Sequence, residues 1–107
     1  MSPVTPSTSP KSVVVFGKEK GCVQCNAQDR AVAKTDLLIT KKNGSTEENK
    51  AFCMSLGHMQ APVTVVYQDG QIIDHWGGFN PGKIDELKND PLVERIAPAE
   101  VRELIAA

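Results

Sequence analysis

No surplus of charge of either sign marks this chain: 12 Lys and Arg stand against 13 Asp and Glu, a net −1 over 107 residues. The balance calls for no polyanionic partner, so neither nucleic acid nor membrane is expected. Long apolar runs are missing too, none approaching the roughly 18 residues of a membrane span. The opening Met1-Ser2-Pro3-Val4-Thr5-Pro6-Ser7-Thr8-Ser9-Pro10 has no apolar core of the kind an export signal carries, so no export is expected. Cysteine is scarce and odd in number, three in all. That argues against a disulfide scaffold and for a reducing compartment, with the cytoplasm as the expected location.

What is present centres on Gly21-Cys22-Val23-Gln24-Cys25, which follows an apolar run and opens a segment that reads as helix. Two cysteines in C-x-x-C spacing at a helix N-terminus can exchange disulfides. The first is nucleophilic because the helix dipole and nearby cations favour its thiolate. The second, one turn further in, resolves the mixed disulfide. The same spacing serves zinc, so on spacing alone half of a metal site stays open, with Cys22, Cys25, Cys53 and His58 as its ligands. Charge is unevenly spread. Residues 1–42 carry seven basic and three acidic side chains, and residues 43–107 carry five and ten. Lys18, Lys20 and Arg30 belong to the basic excess near the cysteines. Of these, Lys18 and Lys20 are the candidates for tuning the thiolate.

Ser12-Val13-Val14-Val15-Phe16-Gly17 has no polar alternation, as a strand buried on both faces requires. A helix over about Cys22 to Lys34 and a second strand over Asp36–Lys41 follow, and a right-handed crossover would make the two strands parallel. Ser45 or Thr46 caps a second helix that Gly57 ends; Phe52, Leu56, Cys53 and Met59 supply its apolar stripe, with Cys53 a small buried hydrophobe. Ala61–Gln68 and Gln71–Trp76 flank Asp69-Gly70, a hairpin signal with a type I′ turn. Asn80 and Pro81 open a third helix with Ile84, Leu87 and Lys88 on its buried side. The expected domains are an arm over 1–11, disordered by composition, a folded unit over 12–90, and an extension over 91–107 with an amphipathic helix at Pro98–Ile105.

The order β-α-β-α-β-β-α, with C-x-x-C opening the first helix and a proline opening the third strand, resembles the thioredoxin/glutaredoxin fold. In that arrangement Pro62 lies near Cys22, and a cis bond before it would turn the Ala61 backbone toward the cysteines, offering main-chain groups to an extended peptide.

Phe16, Cys22-Val23-Gln24-Cys25-Asn26-Ala27, Leu56-Gly57, Gln60-Ala61-Pro62-Val63 and Trp76-Gly77-Gly78-Phe79-Asn80-Pro81 together resemble the NrdH-redoxins, glutaredoxin-like proteins with thioredoxin-like behaviour. The resemblance implies an α/β fold with a four-stranded mixed sheet of order 2-1-3-4 flanked by three helices. It implies Cys22 as nucleophile, Cys25 as resolving thiol and Pro62 as cis proline. Val23, Gln24, Ala61, Pro62, Trp76, Gly77, Gly78 and Phe79 would meet the partner protein. Electrons would arrive from thioredoxin reductase and leave to ribonucleotide reductase, with no cofactor beyond the Cys22–Cys25 disulfide, no metal and a monomeric protein. The chain departs from the family at Gly77 and Asn80, where the usual segment is Trp-Ser-Gly-Phe-Arg-Pro, and at Asp29, which precedes Arg30. A glutathione-dependent glutaredoxin is the near alternative, although neither Cys-Pro-Tyr-Cys nor Thr-Val-Pro is present. His58 and His75 otherwise read as loop and strand-edge residues without a catalytic role.

Overall fold

A computed structural model describes residues 7–18 and 20–96. The elements are β1 (Lys11–Gly17), α1 (Val23–Ala33), β2 (Ile39–Asn43), α2 (Glu47–Ser55), β3 (Val63–Gln68), β4 (Gln71–Gly77) and α3 (Pro81–Asn89). They build one sheet of order β2-β1-β3-β4. Strands β1 and β2 are parallel, and β3 runs antiparallel to both β1 and β4. This is the expected mixed sheet with three helices.

The unbroken apolar character of β1 and β3 follows from their central places, because both of their faces are covered. One cluster joins Val13, Val15, Leu37, Val66, Trp76, Ile84, Leu87 and Val93. The other joins Phe16, Cys53, Val63 and Val65, with Phe52 and Leu56 of α2 packed against it. Val65 is fully removed from water, and its burial contributes about 2 kcal/mol. In the hairpin, Asp69 (φ 56°) and Gly70 (φ 75°) both take the positive φ that a type I′ turn demands. Thr46 and Asn80 cap α2 and α3 by accepting from the backbone N–H of Asn49 and Lys83.

Three expectations are corrected. Strand β2 starts at Ile39 rather than Asp36, because residues 36–38 are engaged elsewhere. Leu38 N–H donates to Glu94 O (3.0 Å) and Ile96 N–H to Asp36 O (2.7 Å), and Leu37 bridges Arg95. The strand itself is an exposed edge whose lysines discourage pairing with other chains. Met59 is not on the α2 stripe: the helix ends at Ser55, Gly57 (φ 86°) turns the chain, and Met59 is 88% exposed. Lys88 is exposed, and only Ile84 and Leu87 of α3 are buried.

The packed unit also runs past the expected boundary at 90. Val93 belongs to the core, and Lys11 N–H donates to Leu92 O while Glu94 N–H donates to Lys11 O. Arg95 donates to the carbonyls of Leu87, Lys88 and Asp90, satisfying acceptors that the end of α3 leaves open. At the other end, residues 7–10 of the expected arm are described, with Ser9 O accepting from Gln68 Nε2 at 2.9 Å. Residues 1–6, and the helix expected at Pro98–Ile105, lie outside the described residues. Among the described residues, no helix is long and apolar enough to cross a membrane.

Asp90 fastens this closing segment. Its carboxylate accepts from Lys11 Nζ at 2.6 Å and from Leu92 N–H at 3.0 Å. The Lys11 contact foremost, then the Leu92 N–H, holds the carboxyl below its ordinary value. A carboxyl depressed in the folded state contributes stability above its unfolded value and loses it as pH falls through the lower, folded one. Asp90→Asn is therefore expected to cost about 1 kcal/mol at neutral pH. The gap from the parent protein should close below about pH 4, as read from urea midpoints across pH.

Candidate functional site

Gly21 (φ 70°) turns the chain into α1, and Cys22 stands as the N-cap with extended backbone. Its Sγ accepts from the Cys25 N–H at 3.1 Å, a place usually filled by an oxygen. Cys22 and Cys25 are joined by a disulfide. Both residues are largely enclosed, at 9% and 6% exposure. Between them Val23 is 79% exposed, an apolar side chain presented beside the sulfurs.

The Ala61–Pro62 bond is cis, as expected. Ala61 O lies 4.0 Å from Cys22 Sγ. A disulfide sulfur has no proton to donate, so this is proximity; the carbonyl flanks the sulfur that a partner would attack. Pro62 O accepts from the Gly78 N–H at 2.7 Å, tying the proline turn to the segment after β4. Gln24 closes the ring from α1, its Oε1 accepting from the Phe79 N–H at 3.0 Å. The half-buried side chain expected to meet a partner thus holds the loop after β4 through its carboxamide.

Trp76 is corrected more strongly. It is 7% exposed and part of the core, with Lys83 Nζ 5.5 Å from its ring centroid. It anchors the Gly77–Phe79 loop from below and offers a partner almost no surface. Gly77 is exposed and Gly78 buried. At position 77, where the NrdH-redoxin pattern has serine, a Cβ would come within 3.1 Å of His58 Nδ1. A side chain there would press on the imidazole, which would have to give by a few tenths of an ångström.

Lys18 and Lys20 are exposed, and among the described residues neither joins an ion pair or hydrogen bond. Lys18 lines a surface cavity of about 290 Å³ together with Cys25, Asn26 and Asp29. Asp29 itself pairs with Lys41 at 2.7 Å. Cys53 is buried at some remove from solvent, and burial pushes its thiol up. No group of three or more His, Cys, Asp or Glu side chains is placed to hold a metal ion among the described residues.

Two contacts have no local signal in the sequence. Gln28 is 1% exposed; its Nε2 donates to Thr64 Oγ1 at 3.0 Å, and its Oε1 has no protein partner among the described residues. It links α1, one turn below Cys25, to β3, two residues past Pro62. His58 and His75 form the second pair, with Nε2 and Nδ1 2.7 Å apart. Their meeting depends on the pairing of β3 with β4, which no short stretch encodes.

No family model and no curated protein matches the sequence. Solved structures do. The glutaredoxin-like NrdH-redoxin of Escherichia coli, which has a thioredoxin-like activity profile, is 26% identical, with 75% of this chain and 99% of that one covered at a TM-score of 0.60. Thioredoxin f2 of Chlamydomonas reinhardtii is 24% identical over 76% of this chain and 78% of its own, with a TM-score of 0.58. Mitochondrial thioredoxin 3 of Saccharomyces cerevisiae, in its oxidised form, is 22% identical over 77% and 79%, with a TM-score of 0.57. With the C-x-x-C at the start of α1 and the cis proline facing it, the chain is a thioredoxin-fold redox protein whose Cys22–Cys25 pair can form a disulfide.

Proposed function

We propose that this protein is a small dithiol/disulfide oxidoreductase of the NrdH-redoxin kind, reducing disulfides in partner proteins. The carrying observation is the Cys22–Cys25 pair at the N-terminus of α1, set against the Ala61 carbonyl. In the reduced state the Cys25 N–H and the helix N-terminus steady negative charge on Cys22 Sγ. That thiolate attacks one sulfur of the partner disulfide; the partner S–S bond breaks, and its other sulfur leaves as a thiolate. Cys25, as thiolate, then attacks Cys22 Sγ and expels the second partner sulfur. Two electrons and two protons have passed to the partner, and the chain is left in the disulfide form seen here.

The pair needs no further cofactor. Its proposed electron source is thioredoxin reductase and its proposed acceptor ribonucleotide reductase, in the cytoplasm; the likeness to the Escherichia coli NrdH-redoxin supports this choice over a glutathione-dependent glutaredoxin. Val23, Ala61, Gly77 and Phe79 form the edge on which the partner would lie; Pro62, expected to meet the partner too, is fully buried and like the buried Gly78 supports that edge from beneath. The test compares turnover with NADPH and thioredoxin reductase against turnover with glutathione and glutathione reductase, using ribonucleotide reductase as acceptor. Faster turnover with the thioredoxin reductase system is expected. Preference for glutathione would reassign the protein to the glutaredoxins.

A further inference from the structure

His58 follows α2, its N–H donating to Cys53 O at 3.1 Å, and His75 lies on β4 opposite Val65. Their rings meet edge to face, with centroids 4.9 Å apart at 71° and His58 Nε2 2.7 Å from His75 Nδ1. The His58 ring also lies over Gly77, where a Cβ would stand 3.1 Å from Nδ1 and 3.5 Å from Cγ. Gly77 leads directly into Gly78, bonded to Pro62 O, and Phe79, bonded to Gln24 Oε1. The imidazole pair therefore sits against the loop that borders the disulfide, yet no step of the exchange uses it.

We propose that the His58–His75 pair positions the Gly77–Phe79 loop for exchange with a protein partner, and releases it when both rings are protonated. The proposal deepens the reading of that loop as part of the partner-binding edge, and rests on it. A 2.7 Å contact between ring nitrogens needs one N–H and one lone pair. A neutral pair supplies both, and so does a singly charged pair in which the imidazolium donates. A second proton places N–H against N–H and charge against like charge. The contact then opens, and the His58 ring leaves its seat on Gly77.

The surroundings set the direction. From α2, Cys53 faces the pair as a buried thiol, uncharged in the acid range, and Lys50 lines the same cavity as His58. Lys18, before α1, lines that cavity too. On β4, Asp74 Oδ1 accepts from the backbone N–H of His75, while its Oδ2 is held by Lys83 of α3 at 2.9 Å. Burial first, and His75 second, keep His58 below the ordinary histidine value. A histidine lowered in the folded state contributes fully above its unfolded value, about 6.5, and loses that contribution as pH falls through the lower folded value.

The test follows amide and imidazole resonances of the oxidised full-length protein from about pH 7.5 to about pH 4.5. The Gly77, Gly78 and Phe79 amides should shift together with the His58 ring, whose midpoint lies below the ordinary histidine value. In His58→Phe, which keeps a ring over Gly77 without a titrating pair, those amides should stay constant. His75→Asn, whose Oδ1 replaces the Nδ1 acceptor without a second charge, should do the same and serves if the first variant folds poorly. Reduced with dithiothreitol and assayed on insulin, the parent-to-variant rate ratio should fall about threefold between about pH 7 and about pH 5. Histidines that titrate without moving the loop amides overturn the proposal, and so does a moving loop with a flat rate ratio. If the protein reduces no disulfide at all, the proposed function fails and the exchange-positioning role fails with it; the amide titration then shows whether the pair still moves the loop.

Discussion

Cys22→Ser is expected to lower the rate of protein disulfide reduction by at least about a thousandfold, because a serine hydroxyl is not ionised where a thiol supplies a usable thiolate. Cys25→Ser should give a different outcome. That variant can still make the first attack, so it should accumulate as a covalent adduct with the partner, visible by mass spectrometry and dissolved by dithiothreitol. The asymmetry rests on position. Cys22 is the N-cap, its sulfur receives the Cys25 N–H at 3.1 Å, and it lies 4.0 Å from the Ala61 carbonyl that would align the partner chain. Cys25 lies inside the first turn and can reach only a sulfur already attached to Cys22. An adduct formed by Cys22→Ser and not by Cys25→Ser would reverse the two roles.

Both cysteines were legible in the sequence because their chemistry is local: a C-x-x-C at a helix start carries its spacing and its dipole with it. The same is true of Asp69-Gly70, Asn80-Pro81 and Thr46, where the backbone geometry is set by the residue that adopts it. The apolar stretch Leu37-Leu38-Ile39 predicts a strand from Asp36, three residues before β2 begins. In the fold, Leu37 and Leu38 are committed to residues 94–96, a distant competitor that no window of sequence contains. The closing segment escapes a sequence reading for the same reason, since Val93 is apolar in a stretch of turn residues and becomes core only when Lys11 pairs beside it.

Within the site, the residues that hold the loop were the hardest to see. Gln24 belongs to a partner-facing motif by pattern, yet its carboxamide is spent on the Phe79 N–H. Trp76 looks like a surface aromatic next to glycines, yet β4 alternation turns it into the core while it leaves His75 on the opposite face. Gly77 lies against His58, nineteen positions away, which only the folded chain brings over it. These contacts depend on register between strands rather than on residue type, so composition and spacing carry no trace of them.

Gly78→Ala should be the most costly single-methyl change near the site, lowering stability by about 2 kcal/mol and the melting temperature by about 10 °C. Two causes add. Gly78 has φ 80°, which disfavours any side chain by roughly 1 kcal/mol, and its Cβ would stand 2.8 Å from Gln24 Oε1. The glutamine end is flexible and can move away, but only by surrendering the Phe79 N–H, a loss of about 1 kcal/mol. The second cause disappears when Gln24 is already gone. Gln24→Ala alone should therefore cost about 1 kcal/mol, and Gly78→Ala in that background only about one more, a coupling of about 1 kcal/mol in urea unfolding. Strictly additive costs would mean that the carboxamide is not what meets residue 78. Function should separate in the same variants. Reduction of insulin by Gly78→Ala should slow severalfold, while reaction with a small aromatic disulfide, which needs the sulfurs but not the loop, should stay near the parent rate.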